Sequence, residues 1–325
     1  MNSAPHNPGK PASAGSKIAI VGTGLVGATA AYALLIRGLA TDLVLVDANR
    51  EKAEGEAMDL GHGLPFVSPA DVRVGDYQDC AGADVVVIAA GANQKPGETR
   101  LDLAHKNTAI MKDVISGITR HGSVGVILVV ANPVDVLTYA ALKYSGYPAF
   151  RVMGSGTVLD TARFRYLLSR HCGVNPRNVH AYIIGEHGDS EVPVWSLANV
   201  AGVRLEDLCP VCGPGCDPEF KEEVSHQARE AAYDIIDRKG ATYYAIGLGI
   251  AAVVQSIIRD ELSVMTVSSL VDNYHGVSDI CLSVPAILGA GGIHHRIVIP
   301  LSPEEERAFV RSAEVLKEAA RSLGL

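Results

Sequence analysis

The stretch that most restricts the fold is Lys17-Ile-Ala-Ile-Val21, followed at once by Gly22-Thr-Gly24-Leu-Val26-Gly27 and an Ala- and Leu-rich run to about Arg37. It reads as a short buried strand, a glycine turn and a helix. Gly22 permits the tight turn, Gly24 lets the backbone approach a pyrophosphate, and Gly27 lets helix and strand pack closely. The helix N-terminus then faces the phosphate charge. A second apolar strand, Asp42 to Val46, ends in Asp47, 20 residues past Gly27 (47 − 27). An acid at that distance can bind a ribose 2′-hydroxyl and repels a 2′-phosphate, which favours NAD over NADP. The plainer alternative is a tight turn with a solvent-facing Asp.

The alternation continues. Asp71 to Val74, Asp84 to Ala90 and Val124 to Val130 read as further strands, the last two as unbroken apolar runs of the kind buried on both faces of a parallel sheet. A helix is expected to start after Asn132-Pro133, with Pro well placed in its first turn. The first half is therefore an α/β doubly wound parallel sheet of the Rossmann kind. Ligands bind such sheets at the carboxyl ends of the strands, and Gly91 to Leu103 leaves one of those ends. Pro96-Gly97 marks it as a loop, and it carries Gln94 and Arg100, so a mobile lid is expected there.

The second half opens near Gly154-Ser-Gly156 with a helix from Thr157 to Arg170. Asp160 and Arg163, three apart, share one face, and Arg165 points roughly opposite. Beyond it, Ile183-Ile184-Gly185-Glu186-His187-Gly188-Asp189 sets a histidine between glycines and carboxylates just past an apolar run. Histidine is the side chain best suited to moving a proton near neutral pH. Alone, it reads as a hydrogen-bonded loop residue. An amphipathic helix follows from about Glu219 to Lys239, stopping at Gly240, and Thr242 opens another, more buried helix. Met265 to Val271, Ile280 to Leu288 and Ile293 to Ile299 read as an antiparallel meander. The last helix has Ser302 as N-cap, Pro303 at its first position and Glu305 completing a capping box. This half is mixed α+β. The expected division is a disordered tail over 1–16, a dinucleotide-binding domain over 17–154 and a substrate domain over 155–325.

A chain of 325 residues, 48% apolar, can bury a large core, and two domains suit that length. A formal charge of −8 without a basic stripe argues against nucleic acid. Met1 to Ser16 lacks the charged and apolar regions of a secretory signal, and no apolar run is long enough to span a bilayer. A soluble cytoplasmic protein is expected. Cys80, Cys172 and Cys281 are scattered, which suits a reducing compartment. Cys209, Cys212 and Cys216 form a Cys-x-x-Cys-x-x-x-Cys group that could ligate zinc, but a structural site wants four ligands and no fourth stands nearby in sequence. Unligated loop cysteines, and no metal, are the expectation.

Taken together, GTGLVG, VLVD, AGANQKPGETRLDL, ANPVDVLTYA, GSGTVLDTARFR, IIGEHGDSEVPVW and KGATYY occur in an order that resembles the bacterial NAD-dependent L-lactate dehydrogenases, from Lys17 to the C-terminus. The resemblance implies reversible hydride transfer between NADH and pyruvate. It implies that His187 is the acid/base, that Asp160 orients it, that Arg163 grips the substrate carboxylate and that Arg100 polarises the carbonyl. It places Asn132 near the nicotinamide and substrate, Thr242 in the substrate pocket, and Gly22, Gly24, Val26, Gly27 and Asp47 on the cofactor. Gln94 stands where the malate branch resembles an arginine that pairs with a second carboxylate. A neutral side chain there leaves oxaloacetate with an uncompensated charge and favours pyruvate. Arg165 and His180 match positions with which fructose 1,6-bisphosphate-responsive members bind phosphate at a subunit interface, implying activation and a homotetramer. The rival readings are a malate or other 2-hydroxy acid dehydrogenase and, in another class, a non-catalytic NAD-binding protein.

Overall fold

The computed structural model describes residues 15–92, 97, 99–212 and 215–325; the side chains of Arg100 and of residues 210–212 lie outside that description. The first half runs β1 (Lys17–Val21), α1 (Leu25–Ile36), β2 (Asp42–Val46), α2 (Arg50–His62), β3 (Asp71–Val74), β4 (Val85–Ile88), α3 (Arg100–Arg120), β5 (Val126–Val129), α4 (Val134–Ser145) and β6 (Val152–Gly154). The second half continues α5 (Val158–Cys172), β7 (Val179–His180), β8 (Ile183–Ile184), β9 (Val192–Pro193), β10 (Asn199–Val200), β11 (Val203–Arg204), α6 (Leu205–Cys212), α7 (Pro218–Lys239), α8 (Tyr244–Ile258), β12 (Ser263–Val271), β13 (Ile280–Gly289), β14 (Gly292–Arg296) and α9 (Pro303–Ser322).

Strands β3, β2, β1, β4, β5 and β6 lie side by side in that order, all parallel, which is the doubly wound arrangement expected from the glycine turn. The buried strands β4 and β5 are Val-Val-Val-Ile and Val-Ile-Leu-Val, with no polar position to spare for solvent. Each face is covered. Residues of α3 and α4, among them Met111, Ile115, Ile118 and Leu137, pack on one side, and Leu34 and Leu35 of α1 with Ile250 and Val254 of α8 pack on the other. Burial on both faces explains why these strands read as continuous apolar runs.

The meander formed by β12, β13 and β14 is present, but it is not a separate sheet. β12 pairs antiparallel with β6 through Ser268 and Gly154, so nine strands form one sheet, β14-β13-β12-β6-β5-β4-β1-β2-β3, among the described residues. Other boundaries differ by small shifts. β14 ends at Arg296 instead of Ile299, and α8 begins at Tyr244, leaving Thr242 in the link after α7. Helix α4 starts after Asn132-Pro133 as expected, with Pro133 as its N-cap and a cis peptide between the two. The α9 capping box of Ser302 and Glu305 is as expected. Ser16, assigned to the tail, belongs to the fold: its carbonyl accepts from the Thr41 and Asp42 N–H groups. Among the described residues no helix is long and apolar enough to cross a membrane.

Candidate active site

Three side chains from two elements meet at Asp160. It lies in the first turn of α5 and is 3% exposed. Its Oδ2 is 2.6 Å from His187 Nδ1, and its Oδ1 accepts from Arg163 Nη1 at 2.9 Å. The i,i+3 spacing that put Asp160 and Arg163 on one helix face here lets a single carboxylate hold an imidazole with one oxygen and a guanidinium with the other. The His187 side chain is 27% exposed and that of Arg163 13%, so both are gripped from behind while part of each still meets solvent.

The mutual placement is fixed by buried hydroxyls. Thr157, the N-cap of α5, donates from Oγ1 to the Ile183 carbonyl at 2.5 Å, and Thr161 Oγ1 accepts from Ile183 N–H at 2.9 Å. These bonds tie the start of α5 to β8, which leads directly into the histidine stretch. There Gly185 takes φ +86°, and a Cβ on it would press on the Ser312 hydroxyl of α9. That same hydroxyl accepts from Glu186 N–H at 2.8 Å, while His187 N–H donates to Asp135 Oδ2 of α4 at 2.7 Å. The glycine turn thus aims His187 at Asp160, and three elements outside the turn hold it there.

Charge decides how the site titrates. Burial alone would lower the His187 pKa; the negative charge of Asp160 and the hydrogen bond to it, supported by Asp135 and Glu191, outweigh burial and raise it to about 9. Asp160 is held below its ordinary value, since the charges and hydrogen bonds of His187 and Arg163 overcome its desolvation. Asp135 is pushed up to about 6 by burial, and Glu191 to about 8 by burial and the Asp160 charge. At neutral pH the pair therefore rests as an imidazolium on a carboxylate, a proton donor whose Nε2 is left on the side of the ring away from Asp160. Asp135 and Glu191 carried no signal in sequence beyond being acids near apolar runs, and they were not foreseen.

The glycine turn fits a dinucleotide. Gly22 adopts φ +98°, and any Cβ there would strike the Ala90 backbone at the end of β4. A Cβ on Gly27 would strike the Gly22 carbonyl, so α1 can lie this close to β1 only with glycine at that place. In front of Gly24 no atom stands within 4 Å of the Cβ position, and α1 starts there without a side-chain cap, leaving its first N–H groups for an anion. Val26 is half-buried against the sheet core. Asp47 is at the tip of β2 and is turned onto the glycine loop: Oδ2 accepts from Thr23 N–H at 2.7 Å and Thr23 Oγ1 at 3.0 Å, and Oδ1 from Asn49 N–H at 2.8 Å. These bonds overcome its partial burial and hold its pKa below the ordinary carboxylate value. The acid is thus charged and pre-positioned beside the turn.

The remaining expected residues are less closely joined. Asn132 is exposed at the end of β5, and its carbonyl accepts from Asn107 Nδ2 at 2.7 Å. Buried Asn107 of α3 also bonds Ala92 N–H at 2.7 Å, so it clamps two strand ends together. No sequence motif marked it. Gln94 and the side chain of Arg100 lie outside the described residues; the Arg100 backbone opens α3, capped by Thr99 and Asp102. Arg165 turns away from Arg163 as its spacing requires: Nε donates to the Ala181 carbonyl at 2.9 Å, and its guanidinium lies 5.3 Å from the Tyr182 ring centre. His180, which ends β7 just before Ala181, is exposed. The cysteine group departs from expectation. Cys209 lies in α6, and its sulfur is bonded to that of Cys216.

Comparison with known proteins agrees with this architecture. Residues 16–154 match the NAD-binding domain, and 157–323 the alpha/beta C-terminal domain, of lactate/malate dehydrogenases. An L-lactate dehydrogenase of Thermoanaerobacter pseudethanolicus is 51% identical over 310 residues, 95% of this chain and 100% of the relative. One from Moorella thermoacetica is 51% identical over 311 residues, 95% of this chain and 98% of the relative. The crystal structure of a lactate dehydrogenase from a Medee basin deep-sea metagenome library superposes with a TM-score of 0.93 at 43% identity, covering 96% of this chain and 99% of that one. NAD is accordingly the cofactor, and the protein an oxidoreductase. With both domain matches spanning nearly the whole described chain, this protein belongs to the lactate/malate dehydrogenase family.

Proposed function

We propose that this protein is an L-lactate dehydrogenase that reduces pyruvate reversibly, with His187 as its acid/base. The observation that carries the reading is the Asp160 carboxylate bound at once to His187 Nδ1 and Arg163 Nη1. Bound NADH supplies the hydride that reaches the ketone carbon. Arg163 has four further N–H donors with which to bind the carboxylate of a 2-oxo acid. His187, charged at neutral pH, gives the proton from Nε2 to the carbonyl oxygen as the alkoxide forms, and Asp160 keeps Nδ1 protonated throughout. In the reverse direction the neutral imidazole takes that proton back. Arg100 adds positive charge beside the same oxygen. Asn132 and Thr242 line the nicotinamide and substrate sides. Resemblance supports these last three roles.

Pyruvate is preferred over oxaloacetate because Gln94 offers no cation for a second carboxylate. Arg165 and His180 bind fructose 1,6-bisphosphate between subunits of a homotetramer. The orientation of Arg165 towards the strand of His180, away from Arg163, supports two separate sites on one helix. NADH oxidation with pyruvate and with oxaloacetate, each with and without the sugar bisphosphate, tests the whole reading. A higher kcat/KM on pyruvate, raised further by the bisphosphate, is expected. A preference for oxaloacetate would overturn the substrate, and indifference to the bisphosphate would overturn the regulation.

A further inference from the structure

The cysteine group lacked a fourth ligand in sequence, and the fold brings one from a distance. His171, near the end of α5, places Nε2 3.4 Å from Cys209 Sγ and 3.7 Å from Cys216 Sγ, although 38 and 45 residues separate them in the chain. The three ligand atoms lie within 4.8 Å of one another. In a tetrahedral site, Zn–S bonds of about 2.3 Å and Zn–N bonds of about 2.0 Å set sulfur and nitrogen about 3.5 Å apart, the separation found here. The imidazole is held by Phe220 of α7, whose ring centre is 4.0 Å away at 32°. Cys209 is 2% exposed, and His171 and Cys216 are half-buried, so the position is enclosed by the cluster around Phe164, Leu168 and Val224. One imidazole and two sulfurs form a donor set suited to zinc.

We infer that His171, Cys209 and Cys216 hold a zinc ion when the two cysteines are reduced. These three protein ligands leave the fourth tetrahedral position to water or another donor. The sulfurs of Cys209 and Cys216 are joined in the structure, so loading begins with reduction. A dithiol reductant gives up two electrons and two protons, closing its own disulfide and leaving two thiols. Zn²⁺ then binds as those thiols lose their protons to solvent. The metal would lock the connection between α6 and α7 onto the far end of α5, the helix that carries Asp160 and Arg163 at its start. Its role is structural: it touches no group of the proposed reaction.

The test uses the full chain, purified with a dithiol reductant and offered zinc, then stripped of loosely bound metal by gel filtration. Elemental analysis is expected to find about one zinc per chain, and less than about one-tenth of that in His171→Ala, Cys209→Ser or Cys216→Ser. Cobalt in place of zinc should give the thiolate charge-transfer and tetrahedral ligand-field bands. Zinc at about 100 times its dissociation constant should raise the thermal midpoint of the reduced wild-type chain by about 4 °C, and that of His171→Ala not at all. Zinc should also protect Cys209 and Cys216 from alkylation, read by peptide mapping. If a substitution prevents folding, the stoichiometry, cobalt spectrum and alkylation pattern of the wild-type chain decide. Reduced wild-type chain without stoichiometric zinc and without cobalt bands, or variants that keep the metal, would overturn the site.

Discussion

Replacing Asp160 by Asn keeps the shape of the side chain and one acceptor oxygen but removes the charge that faces His187 and Arg163. In the intact site that charge and its hydrogen bond overcome burial and raise His187 to about 9. Without them burial is opposed only by Asp135 and Glu191, and the imidazole returns at least to its ordinary value of 6.5. A fall of about 2.5 pH units is on the order of 3 kcal/mol between the charged and neutral forms. The kinetic consequence depends on pH. At pH 8 the protonated fraction drops from about nine-tenths to about 3%, roughly thirtyfold, whereas at pH 6 it drops by less than about twofold. The assay is kcat/KM for pyruvate reduction by both proteins at intervals from pH 6 to pH 8, with NADH binding measured in parallel as a control. The wild-type to variant ratio should widen by about twentyfold over that range. A ratio that stays constant would refute the electrostatic argument, because lost orientation of the imidazole slows the reaction equally at both ends.

Two further outcomes follow from the cofactor side. Asp47→Asn removes the charge that repels a 2′-phosphate and keeps one acceptor oxygen, enough for the two Thr23 bonds but not also for the Asn49 N–H, so the KM ratio of NADPH to NADH should fall by about tenfold or more while the loss of that one bond costs only about 1 kcal/mol of stability; an unchanged ratio would remove Asp47 from cofactor selection. Gly27→Ala sets a methyl against the Gly22 carbonyl, and the strain of prising α1 from β1 should cost about 3 kcal/mol, seen as a lowered denaturation midpoint together with weakened NADH binding. Normal stability in that variant would mean the turn yields more readily than its packing implies.

Much of the site was legible because its parts are written in short-range spacing. Asp160 and Arg163 are one helix turn apart, and Gly22, Gly24, Gly27 and Asp47 fall at the intervals of a βα unit, so local geometry alone places them. Asp135, Glu191 and Asn107 were missed for the opposite reason. Their roles come from contacts with residues 52, 31 and 15 or more positions away, and an acid or amide within an apolar run announces only that something must satisfy it. The same limit hid His171. Its sequence neighbourhood, Ser-Arg-His-Cys-Gly, reads as a helix end, and only the packing of α5 against α7 sets it between two sulfurs. The boundaries of α8 and β14 slipped because Thr242, Ile297 and Ile299 are apolar or β-branched yet sit in connections that the core still buries in part.

The antiparallel joint between Ser268 and Gly154 has a consequence for how this enzyme comes apart. A two-part protein built from separate sheets can lose one part to heat while the other survives. Here β6 is flanked on one side by β5 and on the other by β12, and α8 of the second half covers the first half's sheet beside α1, so detaching either half would bare apolar surface of the kind that recruits other chains. There is no natural seam along which to melt or to be clipped. The two halves should therefore lose their structure in one transition, and a fragment ending near position 154 should be recovered as aggregate rather than as a soluble nucleotide-binding module.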